Sequence, residues 1–192
     1  MPVVIVMMAV SLLTGLATTV VLGTITETAI AGNYGEAAAV FYAAEAAVEF
    51  ALAELTAADW EASLTDTTLS AFIDGPPAGL RHAGIAPVDL TQATADINAL
   101  RGARAAGSAY RLYAYGRFAD LVSARPEGSR LYVAVWVADL TDAAAEGTGA
   151  PVLGVLGRAY GPSGSRRAIA VSVTPGDVAP RALRVLSWAE LR

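Results

Sequence analysis

The first 26 residues carry no charged side chain, and no proline occurs between residues 3 and 75. These two facts limit the chain's folding options more than any other feature. The run "PVVIVMMAVSLLTGLATTVVLGTIT", Pro2 to Thr26, must hide apolar surface while satisfying every backbone amide. A helix does both within one segment, and roughly 20 helical residues cross a bilayer core of about 30 Å. A cleaved secretory signal would have a shorter apolar run, a basic start and a small-residue cleavage site. The sequence therefore predicts an uncleaved single-span anchor over residues 1–26. No lysine or arginine lies near enough to orient it.

Small residues recur at every fourth position of this segment: Ser11, Gly15, Thr19 and Gly23. On a helix they lie along one side and permit close approach of a neighbouring helix. Beyond it, Tyr34, Ala38, Phe41, Glu45, Val48, Leu52 and Leu55 follow one another at alternating spacings of four and three, the period of a helical stripe. Alanine-rich composition favours helix throughout. One helix is thus expected from about residue 3 to about residue 57, softened near Gly32–Gly35, with residues 27–58 as its amphipathic continuation. Glu45 interrupts the apolar stripe. It is expected at the edge of the packed face, or paired with an arginine of the C-terminal half or of a neighbouring subunit.

Charge separates the two parts. Residues 1–80 hold nine acidic side chains and no basic one, while residues 81–192 hold all 13 arginines against nine acids, giving −9 and +4. An acidic helix and a mildly basic domain attract each other, within a molecule or between copies. Neither part is basic enough to point to nucleic acid.

Residues 59–192 are expected to form an α+β domain. "SLTDTTLSAFID" suggests a short helix capped by Ser63 or Thr65 and ended by "GPPAG", and a second helix is expected over Leu90–Arg101. Strand patterns follow. "SAYRLYAYGRF" places Tyr110, Leu112, Ala114 and Phe118 on one face, and "RLYVAVWVADL" places Leu131, Val133, Val135 and Val137 together, with Tyr132 and Trp136 opposite. "PVLGVLGRAY" and "RRAIAVSVTP" flank "GPSGS" as a hairpin, with Ile169, Val171 and Val173 on one face, and "RALRVLSW" supplies an edge strand. The resulting fold class is α+β: a long N-terminal helix, membrane-spanning in its first half, packed on a four- to five-stranded antiparallel sheet.

Residues that would carry chemistry are sparse. His82 lies in a proline- and glycine-rich stretch and reads as a surface loop residue. "GPSGS" lacks the spacing of a nucleophile elbow, and "GVLGRAYG" reads as a strand, not a dinucleotide-binding turn. Asp139, Asp142 and Glu146 form a solvated acidic loop with no EF-hand pattern. The chain has no cysteine. No enzyme activity, metal or cofactor is expected.

The helix junction carries a resemblance. Ala31-Gly32-Asn33 and Val40-Phe41-Tyr42-Ala43-Ala44-Glu45-Ala46 are similar to the A-G-N motif and A-F-x-A-A-E-A core of PilX-type minor pilins, within the type IV pilin and pseudopilin family. The resemblance covers residues 3–55 well and residues 150–192 weakly, through "GRAYGPSGSRRAIAVSV" and "LSWAELR". Pilin precursors usually begin with a short basic leader ending in glycine, and the sequence as given opens "MPVVIVMM" with neither feature. It also lacks the early glutamate many major pilins use for subunit registry, which fits a minor, priming or tip-located subunit. The resemblance implies a structural subunit of a type IV pilus or related assembly system, held in the inner membrane with its domain extracytoplasmic before incorporation at the cell surface. Its partners would be other pilins and the assembly machinery. Ser11, Gly15, Thr19, Gly23, Asn33, Phe41, Tyr42 and Glu45 are then the expected packing and assembly residues. The competing expectation is a membrane-anchored extracytoplasmic binding domain outside any fibre.

Overall fold

A computed structural model describes residues 2–57, 69–83, 86–101, 107–122, 129–141, 150–176 and 183–191. The chain forms two compact units, Met1–Ala38 and Ala39–Arg192. Helix α1, Pro2–Ala57, runs 56 residues without interruption, and Gly32 and Gly35 do not break it. Its continuity follows from the absence of internal proline and the abundance of alanine.

In the second unit α1 lies on one face of a five-stranded antiparallel sheet. The strands are β3 (Arg111–Arg117), β4 (Tyr132–Asp139), β5 (Leu153–Tyr160), β6 (Arg166–Pro175) and β7 (Leu183–Leu191), each paired with the next in sequence. This is the expected α+β layout with the upper strand number. The "GPSGS" turn joins β5 to β6; the Gly161 amide donates to the Ser165 carbonyl at 2.7 Å, and Gly164 takes the left-handed φ of 89° that a side chain would resist.

The helix buries a stripe that shares Val48 and Leu55 with the expected one and is rotated away from the rest of it. Val40, Ala43, Ala44, Ala47, Val48, Ala51 and Leu55 face the sheet, packed with Val133, Val135, Val155, Ile169 and Val171. Phe41 and Leu52 flank this stripe partly buried, and Tyr34 is exposed. The buried face is rotated toward the alanines because small side chains let the helix axis approach the sheet. Gly157 on β5 completes that approach: a Cβ there would lie 2.5 Å from Val48 Cγ2 and 3.0 Å from the Ala44 carbonyl oxygen. Sequence reasoning, ranking residues by size, centred the stripe one position too far round.

The sheet's other face is also covered, which the alternating patterns of single strands did not announce. Helix α2, Leu90–Arg101, forms where expected, with the Asp89 carboxylate accepting from the Thr91 and Gln92 amides at 2.9 and 3.0 Å as an N-terminal cap. Leu90, Ala93 and Ile97 pack on Tyr115, Tyr132, Ala134 and Trp136. Beside it a small hairpin pairs β1 (Leu80–Ala83) with β2 (Ala86–Asp89), so His82 sits exposed on a strand opposite Pro87, not in a loop.

Two further expectations are corrected. Strand β3 carries a bulge between Leu112 and Ala114, so Tyr110 and Leu112 belong to the α2 side while Ala114 and Phe118 belong to the α1 side. One inserted residue reverses the alternation, so the four do not share a face. The described end of the anticipated first short helix, residues 69–74, is extended. Ser70 donates its amide to the Tyr113 carbonyl and the Tyr115 amide donates to the Phe72 carbonyl, so this segment borders β3 instead of coiling. Ser63 and Thr65 lie outside the described residues.

Candidate functional site

In the first unit every described residue from Pro2 to Gly35 is exposed, including Val3, Ile5, Leu12, Leu16, Val20 and Leu22 at more than half of their surface. Among the described residues this is one helix long and apolar enough to cross a membrane, its 18-residue window reaching a mean hydropathy of 2.3. Its serine and threonine hydroxyls are internally satisfied. The hydroxyls of Ser11, Thr14, Thr18, Thr19, Thr24, Thr26 and Thr28 all donate to the carbonyl four residues earlier, at 2.8–3.0 Å. None of these seven hydroxyls therefore reaches an apolar medium as a bare donor. Ser11, Gly15, Thr19 and Gly23 share one side of the helix, and a Cβ at Gly15 or Gly23 would meet nothing within 4 Å. Asn33 is exposed in the same unit.

Phe41, Tyr42 and Glu45 belong to the second unit. Phe41 stands edge-on to Trp188 of β7, ring centroids 6.2 Å apart, and edge-on to Tyr42 at 5.5 Å. Tyr42 is 64 % exposed, so its ring lies on the surface rather than in the helix–sheet contact. Glu45 is partly exposed beside the buried stripe and forms no ion pair among the described residues. Glu49, one turn on, is exposed and likewise without an ion pair there.

The helix carboxylate that engages the sheet domain is Glu54, which the stripe argument passed over. It accepts from the Ser70 hydroxyl, from the Tyr113 hydroxyl at 3.3 Å and from the Ala71 amide at 3.4 Å. Burial, reinforced by Glu54, pushes the Tyr113 phenol up to about 12. A second polar knot joins the elements of the other layer. Asp74 takes the Arg81 guanidinium at 2.9 Å and the Tyr132 hydroxyl at 3.1 Å, while Arg81 also donates to the Pro76 carbonyl. Burial, with Asp74 next in weight, raises Tyr132 well above the usual phenol range. Trp136 donates its indole N–H to Thr94 at 2.7 Å, and Asn98 exchanges hydrogen bonds with the Tyr110 backbone at 2.8 and 3.0 Å. Both knots hold elements in place, and their groups are spent on one another.

Asp139 is spent similarly, accepting from the Thr141 amide and hydroxyl at 2.9 and 2.6 Å; Asp142 and Glu146 lie outside the described residues. Among the described residues no three His, Cys, Asp or Glu side chains converge as metal ligands. The described residues offer surface: an exposed apolar helix, an edge strand β7 with Val185, Leu186 and Trp188 exposed, and the arginine-lined side of the sheet next to α2. No protein-family model, curated protein or solved structure matches the chain.

Proposed function

We propose that this chain is a minor pilin-like structural subunit of a type IV pilus or a related assembly system, similar to the PilX-type proteins. The observation that carries the reading is the division of one unbroken helix. Its first part is apolar and exposed on every side, and its last part is built of alanines closed under an antiparallel sheet. An exposed apolar helix needs lipid or other helices around it, and the same surface serves both before and after extraction into a fibre. Ser11, Gly15, Thr19 and Gly23 provide the side along which a neighbouring helix approaches. The sheet domain is extracytoplasmic, and its role is display and subunit contact without a catalytic step.

The test is fibre incorporation in the native host. Chain tagged in the sheet domain should be recovered in sheared surface fibres, and its deletion should reduce assembled pili. A deletion strain with normal pili, twitching and DNA uptake, and a chain found only in the membrane fraction, would favour the anchored binding domain instead.

A further inference from the structure

Exposed acids of α1 and a pair of arginines stand on opposite sides of the sheet. Helix α1 covers one face; on the other, between α2 and strands β5 to β7, two adjoining hollows of about 450 and 640 Å³ share Leu100, Arg158 and Leu191 as lining. Leu100 is 83 % exposed there and Leu191 44 %, so the rim is apolar. Arg158 stacks over Trp136 at 5.9 Å, Arg166 is exposed, and neither forms an ion pair among the described residues. The hydroxyl of Tyr160 is buried between these strands without a hydrogen bond of acceptable geometry among the described residues. Two acids also face the hollow. Asp96, which accepts from Gln92 at 2.7 Å, lines the hollow beside Arg158 and Arg166 without an ion pair among the described residues, and Glu190 lies 3.7 Å from Arg167.

We infer that this groove receives the Tyr42–Glu45–Glu49 face of a second copy of the chain, an inference that rests on the reading of the protein as an assembly subunit. The three residues fall at i, i+3 and i+7, on one side of α1, and span about 10 Å of helix. They pair an exposed aromatic ring with two carboxylates that form no ion pair among the described residues. The groove presents the complement: an apolar rim for the ring and two guanidinium groups for the carboxylates. Within one molecule the sheet stands between this face of α1 and the pair Arg158 and Arg166, so these groups meet only between copies. Two different patches meeting in this way make a head-to-tail contact, which repeats along an open series instead of closing a pair. Of the two arginine partners anticipated for Glu45, this selects the neighbouring subunit.

The absence of native cysteine makes the test clean. Full-length Glu49→Cys and Arg166→Cys chains, mixed in detergent and oxidised, should form the mixed disulfide at least tenfold above either chain alone. Reversal by Glu45→Arg with Glu49→Arg should lower self-association tenfold or more, as should Arg166→Glu, whose exposed site leaves the melting curve unchanged. Combining the three reversals in one chain should restore association. A mixed disulfide no more abundant than the self-paired ones, or a combined variant as dissociated as its parents, overturns the inference. Recovery of the wild-type chain in sheared fibres reports on the fibre reading by itself, so fibres containing chains that fail to cross-link would overturn the groove contact alone.

Discussion

Leu16 and Leu55 are the same residue on the same helix, yet one is 60 % exposed and the other fully buried. The contrast extends along α1. The large branched side chains of residues 2–26 are uncovered, whereas the side chains that residues 40–55 close under the sheet are four alanines, two valines and a leucine. Hydrophobic size and burial in the protein run in opposite directions here. Large side chains stand where nothing among the described residues covers them, as on a helix apolar enough to cross a membrane. Small ones are used where a rigid sheet must come close. The helix thus serves two solvents with two alphabets, and its backbone is indifferent to the change.

The comparison breaks most readily at the closest contact. Gly157→Leu should cost more than about 3 kcal/mol or abolish cooperative unfolding, because its Cβ would meet Val48 and the Ala44 carbonyl at 2.5 and 3.0 Å. Gly15→Leu, where nothing lies within 4 Å, should leave unfolding of residues 39–192 unchanged while weakening helix-to-helix association. Urea titration of detergent-solubilised chain reads both. Next comes Leu55→Ala, expected to lose about 3 kcal/mol by leaving a cavity, against less than about 0.5 kcal/mol for Leu16→Ala. Equal losses at the two leucines would remove the distinction between the two parts.

A smaller effect belongs to the polar tie between helix and sheet domain. Tyr113→Phe should lose about 1 kcal/mol at neutral pH by deleting the hydrogen bond to Glu54. Because the folded state holds this phenol neutral, its contribution is full below an unfolded value near 10.0 and fades as pH rises toward about 12. Melting temperature across that window should therefore fall more steeply for wild type than for the Phe variant. Glu45→Ala should be smallest of all in stability, within about 0.5 kcal/mol, since Glu45 is partly exposed and unpaired. Its assembly yield should fall by more. Matching losses of stability and assembly would contradict that division.

Much of the architecture was legible because it rests on period and punctuation. The proline-free stretch marked α1, "GPSGS" marked the β5–β6 turn, and the second helix was expected over the Leu90–Arg101 range it occupies. What escaped depends on partners distant in sequence. The bulge at Tyr113 is a property of pairing with β4, not of the segment that contains it. The short hairpin of Leu80–Ala83 and Ala86–Asp89 gains its strand character from covering Tyr115 and Tyr132, and its own composition reads as loop. The buried stripe on α1 was misjudged for the same reason: only the glycine on β5 reveals that alanine, not phenylalanine, is the residue that fits. Of the candidate assembly residues, the small-residue side of residues 11–23 and the partial exposure of Glu45 were visible in spacing. The acceptor role of Glu54 was not, because Ser70 and Tyr113 reach it from far along the chain.

The two-part helix is tested most directly by labelling single cysteines in cells with a membrane-impermeant maleimide. Leu16→Cys and Ala57→Cys, each the sole cysteine in the chain, sample the two parts. The account predicts that intact cells label position 57 and leave position 16 unlabelled until the membrane is dissolved. Equal labelling at both positions in intact cells, or labelling at neither, would contradict it.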